Sequence, residues 1–184
     1  MIIRKIVKRL KGILYSLPEL GRFRSVGKNF QLLGRKNIKA CNCSVGDNCW
    51  VQAVDSYKGQ RFTPQITFGE RVMMSNNVHI SAVKSIALGN HVLLGSNIYI
   101  GDHSHGSTKP EKYNPAIPPA LRPLDDIDEI EIGDNVWVCD GAIILAGSRI
   151  GSGSIVAAQA LVKGIFPENC LIAGNPAKII KRLV

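Results

Sequence analysis

No stretch of this chain approaches the roughly 20 consecutive apolar residues that a membrane-spanning helix needs. The N-terminus is charged but lacks an apolar run followed by a small-residue cleavage site, so no secretory signal is expected. Cysteine is sparse and odd in number, five in all (41, 43, 49, 139 and 170), without the spacing of a disulfide framework. Cys41-Asn42-Cys43 has no second Cys or His pair to complete a zinc site, so buried reduced thiols and no metal are expected. Basic segments without interleaved aromatics or a known binding motif argue against nucleic acid. No Ser-His-Asp or Cys-His arrangement is evident. A soluble protein of a reducing cytoplasm is the resulting expectation.

Acidic residues are also nearly missing from one region. Residues 1–36 carry ten Lys/Arg against one acid, Glu19, whereas the remainder holds 13 basic and 13 acidic residues. The formal charge of +9 therefore belongs to the N-terminal segment. Residues 2–17 place Ile3, Ile6, Val7, Leu10, Ile13, Leu14 and Leu17 on one helical face, with Arg4, Lys5, Lys8, Arg9 and Lys11 opposite or beside it. Such a helix lies on an anionic membrane surface or packs on the body or a neighbouring subunit; both readings stay open.

What is abundant is a rhythm. Ile132, Val138, Ile144, Ile150, Val156 and Val162 stand six apart, and Val136, Ala142, Ser148, Ser154 and Ala160 follow the first five by four positions. Helices repeat near 3.6 residues and strands near 2, so a period of six requires a chain that turns the same corner repeatedly. Upstream, Val26, Leu32 and Ile38, then Val45 and Val51, then Phe68, Met74 and Ile80, then Leu88, Leu94 and Ile100 keep the same spacing. Three hexads make a triangular 18-residue coil, and coils stack at the strand spacing of about 4.8 Å. The expected organisation is a basic amphipathic segment at 1–25, a β solenoid at 26–167, and a C-terminal loop and short helix at 168–184. Inserts interrupt the rhythm at 52–64 and 106–129. The second carries five prolines and the acids Asp125, Asp126, Asp128 and Glu129, and leaves directly after Asp102-His103-Ser104-His105. Loops this long in a compact repeat are usually functional.

These hexads, Val136-Trp137-Val138 and the ending Ala173-Gly174-Asn175-Pro176-Ala177-Lys178 resemble the hexapeptide-repeat acyltransferases. The resemblance covers roughly residues 26–184 and implies an all-β, left-handed parallel β-helix. It further implies a homotrimer with sites between subunits and coenzyme A thioesters as acyl donors. From Ile66 to His105 the chain is similar to the galactoside and maltose O-acetyltransferases, and Asp102 to Gly106 resembles sugar O-acetyltransferases of polysaccharide assembly. That similarity places His103 on the catalytic histidine, once two residues are deleted before it, and Ser75, Asn76 and Asn77 near the acceptor pocket. Asp140, Ala158, Lys163, Lys178 and Lys181 fall on positions that touch acetyl-CoA, Asp140 and Lys163 replacing other residue types. The substrate segment of the maltose branch has no counterpart in residues 1–25.

A sugar hydroxyl attacks a thioester poorly unless a base removes its proton, and histidine titrates in the suitable range. His103 is therefore the expected general base. His105, two residues on, shares its side in an extended segment and is the rival base or an acceptor contact. Asp102 alternates to the opposite side unless the chain turns there, and is assigned to the acceptor. The expected activity is acetyl-CoA-dependent O-acetylation of a sugar, probed against N-acylation of an amino sugar. Two other classes compete: a γ-carbonic-anhydrase-like metal enzyme and a non-catalytic scaffold.

Overall fold

A computed structural model describes residues 2–15 and 23–184. The hexads wind into a three-faced parallel solenoid, each coil contributing one short strand to each face. The first face is an eight-stranded sheet that begins with Phe23–Val26 and includes Met73–Met74, Leu93–Leu94, Trp137–Val138 and Ile155–Val156. The second, six-stranded, includes Trp50–Ala53, His79–Ala82, Tyr99–Gly101, Ile143–Leu145 and Leu161–Val162. The third, also six-stranded, includes Gln65–Glu70, Ser85–Leu88, Ile130–Ile132 and Arg149–Ile150.

All six residues of the C-terminal hexad series are buried, and so are the five small or β-branched residues that follow at four positions. The two buried serines in that second series are satisfied by the backbone. Ser148 donates to the Leu145 and Val162 carbonyls, and Ser154 to Pro167. Coil length is less uniform than the rhythm implied. Ile132, Val138 and Ile144 pair with Ile150, Val156 and Val162, eighteen residues on. Upstream, Ile66, Met74 and Ile80 pair with Ile86, Leu94 and Ile100, twenty residues on. The extra two residues lie on the third face, where Ile66 and Phe68, then Ile86 and Leu88, both point inward.

Corners carry their own ladder. Asn48, Asn77, Asn97 and Asn135 adopt left-handed backbone (φ 56 to 59), which asparagine tolerates better than β-branched residues. The Asx side chain of one coil accepts from a backbone amide of the coil before it: Asp47 from Lys28, Asn76 from Asp47, Asn90 from Glu70 and Asp134 from Asn90. These bonds satisfy amides that the short strands leave free.

The expected C-terminal helix is not formed. Ala177–Arg182 is a strand, antiparallel to Cys170–Gly174. A last coil presents an open edge of unpaired N–H and C=O groups, and a six-residue segment containing Ile179-Ile180 satisfies that edge better as strand than as helix. At the other end the helix Ile2–Tyr15 forms as expected and packs on Phe23–Val26, while positions 16 and 17 lie outside the described residues. The thiols follow the expected burial only in part. Cys43, Cys49 and Cys170 are buried, and burial pushes the Cys43 thiol up to about 11, but Cys41 is exposed.

Candidate active site

The second-to-third-face corner holds His103 and His105. After Tyr99–Gly101 the chain turns instead of continuing as strand, which carries Asp102 inward. Its carboxylate is fully buried and accepts from the amides of Val83 (2.9 Å), Lys84 (2.8 Å) and Ser85 (2.9 Å), the same corner one coil earlier. It also lies 2.8 Å from His103 Nδ1. The expectation that Asp102 meets the acceptor is therefore corrected: it has no exposed surface and orients His103. A carboxylate that only accepts fixes Nδ1 as the protonated nitrogen and leaves Nε2 as the basic one.

His105 is exposed and tethered differently. Ser104–His105 pairs antiparallel with Leu124–Asp125, closing the base of the long insert. The first insert makes its own hairpin, Ser56–Tyr57 against Gln60–Arg61, and reaches across to the second. Gln60 Nε2 donates to the Leu124 carbonyl at 3.0 Å, and Leu124 N donates back to Oε1 at 2.7 Å. Tyr57 Oη donates to the Ala120 carbonyl at 3.1 Å and lies 3.3 Å from His105 Nδ1. The strand Trp50–Ala53 extends into the stretch expected as insert, so departure from the coil starts later than position 52. A cleft lined by Arg61, Phe62, Thr63, Val83, Lys84 and Ile127 borders the amides that hold Asp102.

His79 sits on the outer surface of the second face, stacked on Trp50 (4.3 Å between ring centroids, 3° between planes) and edge-on to Tyr99. Burial, and then the nearby His103, push its pKa below the usual histidine value, disfavouring the charged ring. Its Nε2 is buried with no hydrogen-bond partner among the described residues. His91 occupies a left-handed corner, φ 58, and its amide bonds the Glu70 carbonyl.

The remaining candidates divide between locations. Ser75, Asn76 and Asn77 lie on the first-to-second-face corner, as do Asp140 and Ala158 in later coils. Asn76 caps Asp47, Asn77 Nδ2 donates to Asn97 Oδ1 at 2.9 Å, and Asp140 Oδ1 accepts from Ser96 N. Lys163 is exposed on the histidines' corner, two coils further. Lys178 and Lys181 pair with Ala173 and Leu171, and a register shift puts both on the outer side of the first face. One chain thus brings together Asp102, His103 and His105, but not the acceptor and donor candidates of the neighbouring corner. Tyr57 and Gln60 were missed by sequence reasoning, because nothing local links residue 57 to 105 or 60 to 124.

The fold is a left-handed parallel β-helix, the coil it shares with the solved structures on which it superposes. Residues 129–164 match the bacterial transferase hexapeptide (six repeats) family. The chain is 40% identical over 119 residues to a putative lipopolysaccharide biosynthesis O-acetyl transferase, WbbJ, of Escherichia coli K12, covering 64% of this chain and 60% of that protein. It thus spans less than two thirds of that relative. It is 27% identical over 150 residues to the galactoside O-acetyltransferase of Lactococcus lactis, 79% of this chain and 66% of the relative. Among solved structures, AntD, an N-acyltransferase from Bacillus cereus in complex with dTDP-4-amino-4,6-dideoxyglucose and coenzyme A, superposes with a TM-score of 0.74 at 16% identity. That match covers 94% of this chain and 88% of AntD. A hexapeptide-repeat acetyltransferase from Vibrio cholerae, VCA0836, gives 0.60 at 23% identity over 100% of this chain and 85% of its own.

Proposed function

We propose that the chain is an acetyl-CoA-dependent O-acetyltransferase acting on a sugar hydroxyl in surface-polysaccharide or glycan assembly. The observation that carries this reading is the Asp102–His103 pair, which presents a tautomer-fixed base beside a long insert. The similarity to O-acetyltransferases of lipopolysaccharide and galactosides supports the acceptor class. His103 Nε2 takes the acceptor's proton as its oxygen bonds to the thioester carbonyl carbon. Collapse of the tetrahedral oxyanion breaks the C–S bond, and the imidazolium returns the proton to the departing sulfur. The buried Asp102 carboxylate stabilises that imidazolium. Lys178 and Lys181 form an exposed cationic pair suited to the phosphates of coenzyme A.

A homotrimer completes the reading. The outer rung Met73, Leu93 and Trp137 stays 36–51% exposed on the first face, an apolar strip suited to packing against a second copy. The helix Ile2–Tyr15 supports a peripheral position at an anionic membrane. Lys8 anchors it to Asp47 at 2.9 Å, and Ile3, Ile6, Val7 and Leu10 remain outside, 46–78% exposed. No described helix is long and apolar enough to cross a membrane.

The deciding experiment is thiol release from acetyl-CoA across free sugars, nucleotide sugars, amino sugars and lipid-linked oligosaccharides. Turnover with hydroxyl acceptors is expected. Turnover restricted to amino sugars would move the reading to N-acylation. Stoichiometric zinc or iron that is lost with His103, or no thiol release with any acceptor, would sink it.

A further inference from the structure

The hydrogens around Tyr57 can be counted. A phenol has one proton, and that of Tyr57 goes to the Ala120 carbonyl, which can only accept. The 3.3 Å contact between Tyr57 Oη and His105 Nδ1 is then a hydrogen bond only if Nδ1 carries the proton and the phenol oxygen accepts it. In the neutral ring this leaves Nε2 with a bare lone pair. His103 reaches the same state by another route, with Nδ1 against the Asp102 carboxylate.

We propose that Tyr57 is a positioning residue that locks His105 in its Nδ1–H tautomer, so that His105 Nε2 accepts a hydrogen bond from an acceptor hydroxyl neighbouring the one deprotonated by His103. The role for the acceptor rests on the transferase reading; the tautomer does not. The Tyr57 and His105 rings meet edge-on at 5.4 Å, so the hydrogen bond is backed by packing. The hairpin carrying Tyr57 is fixed in turn, because Gln60 clasps both backbone groups of Leu124, the residue opposite His105 in the loop-base pair. Four residues from two inserts thus form one unit around an exposed histidine.

The lock has a chemical consequence. A lone pair at that point welcomes a group that donates, a sugar hydroxyl, and repels one that only accepts, such as a carboxylate, a phosphate or an ether oxygen. The acceptor class is therefore a neutral sugar with a free hydroxyl beside the acetylated one, in preference to a uronate or a ring substituted at that neighbour.

The test reads the tautomer directly. Long-range proton–nitrogen correlation spectra of the full-length protein with labelled histidine, recorded near pH 8.5 where imidazole is neutral, should show His105 protonated at Nδ1. Tyr57→Phe keeps the ring packing and removes the bond, and should shift His105 toward the Nε2–H form that an unconstrained imidazole favours. A wild-type His105 protonated at Nε2, or a tautomer unchanged in Tyr57→Phe, overturns the proposal whatever transfer is measured. With the sugar turned over fastest in the thiol-release panel, Tyr57→Phe should raise the acceptor KM about 2- to 10-fold, the range of one neutral hydrogen bond. The acetyl-CoA KM should stay within about two-fold. An equal rise in both KM values overturns the acceptor role. Wild-type protein with the expected tautomer and no turnover of any sugar overturns the transferase reading instead, and leaves the lock standing.

Discussion

The coils from Ile130 to Phe166 and those from Trp50 to Leu124 build the same wall and use their corners in opposite ways. In the later coils every corner is short, and corner side chains such as Asp134 and Ser154 bond to backbone of an adjacent coil. In the earlier coils two corners on the second-to-third-face edge open into inserts, and the Tyr57 and Gln60 side chains of the first reach the His105 ring and the Leu124 carbonyl across 48 and 64 residues. Both regions bury Ile and Val on the same inward rungs. The difference teaches that the wall supplies position, while the opened corners gather the side chains of the candidate site.

The largest expected effect separates the two regions by activity. His103→Ala should lower kcat by about 10²–10⁴-fold, the usual worth of a positioned base, with the folded state intact. Asp102→Asn should also slow transfer, but it additionally disturbs the Val83, Lys84 and Ser85 amides, so it lowers melting temperature as well. Steady-state rates with circular-dichroism melts check both. If His103→Ala retained near-normal transfer while His105→Ala abolished it, the two histidines would exchange roles.

The wall should answer in the opposite sense. Ile144 is fully buried between Ile100 and Val162 in the stacked rungs of the second face. Ile144→Ala should cost about 2–5 kcal/mol of stability through lost burial and a residual cavity, measured by urea unfolding. The folded fraction should keep its acetyl-CoA KM. A large change in KM at unchanged stability would erase the distinction between wall and corner.

How much of this could be read from the chain alone follows the same division. A period of six names Val138, Ile144 and Ile150 as inward, because burial repeats with the corner and needs no distant partner. The two-residue lengthening of the third face is weaker, since Ile86 and Leu88 look like ordinary strand alternation. His103 was legible as the break in the rhythm, but Asp102 was not. Strand alternation turns Asp102 away from His103, and only the corner at Gly101 reverses that. The Gln60–Leu124 clasp had no local signature, because loop-to-loop pairing leaves no periodicity. The C-terminal strand was misread since Pro176 and the following apolar and basic residues fit a first helical turn, while the open sheet edge that recruits them belongs to the assembled coils.

Lys178 and Lys181 test whether the regular end also contributes to binding. Replacing both by Ala should raise the acetyl-CoA KM by about tenfold at low salt, and less in about 0.5 M salt, because exposed charges are screened. The acceptor KM should not move. An acetyl-CoA KM indifferent to the double replacement would return these lysines to the role of a solvated strand edge.

The smallest effect lies at the base of the long insert. The Thr108 amide, then the Thr108 and Ser107 hydroxyls, hold the Asp126 carboxyl down to about 2 from its ordinary 3.8. Because the folded value is the lower one, this contribution to order is complete above about pH 4 and is lost as pH falls through about 2. The Thr108 amide donates to Asp126 at 2.7 Å, so its hydrogen exchange is the local reporter. Protection of that amide should weaken between pH 4 and pH 2, after correction for intrinsic exchange, while amides of the Ile143–Leu145 strand keep theirs. Asp126→Asn should flatten the dependence. If strand and loop base lost protection together, the insert would be part of the wall's cooperative unit, and the comparison between fixed wall and separately held corner would fail at its own hinge.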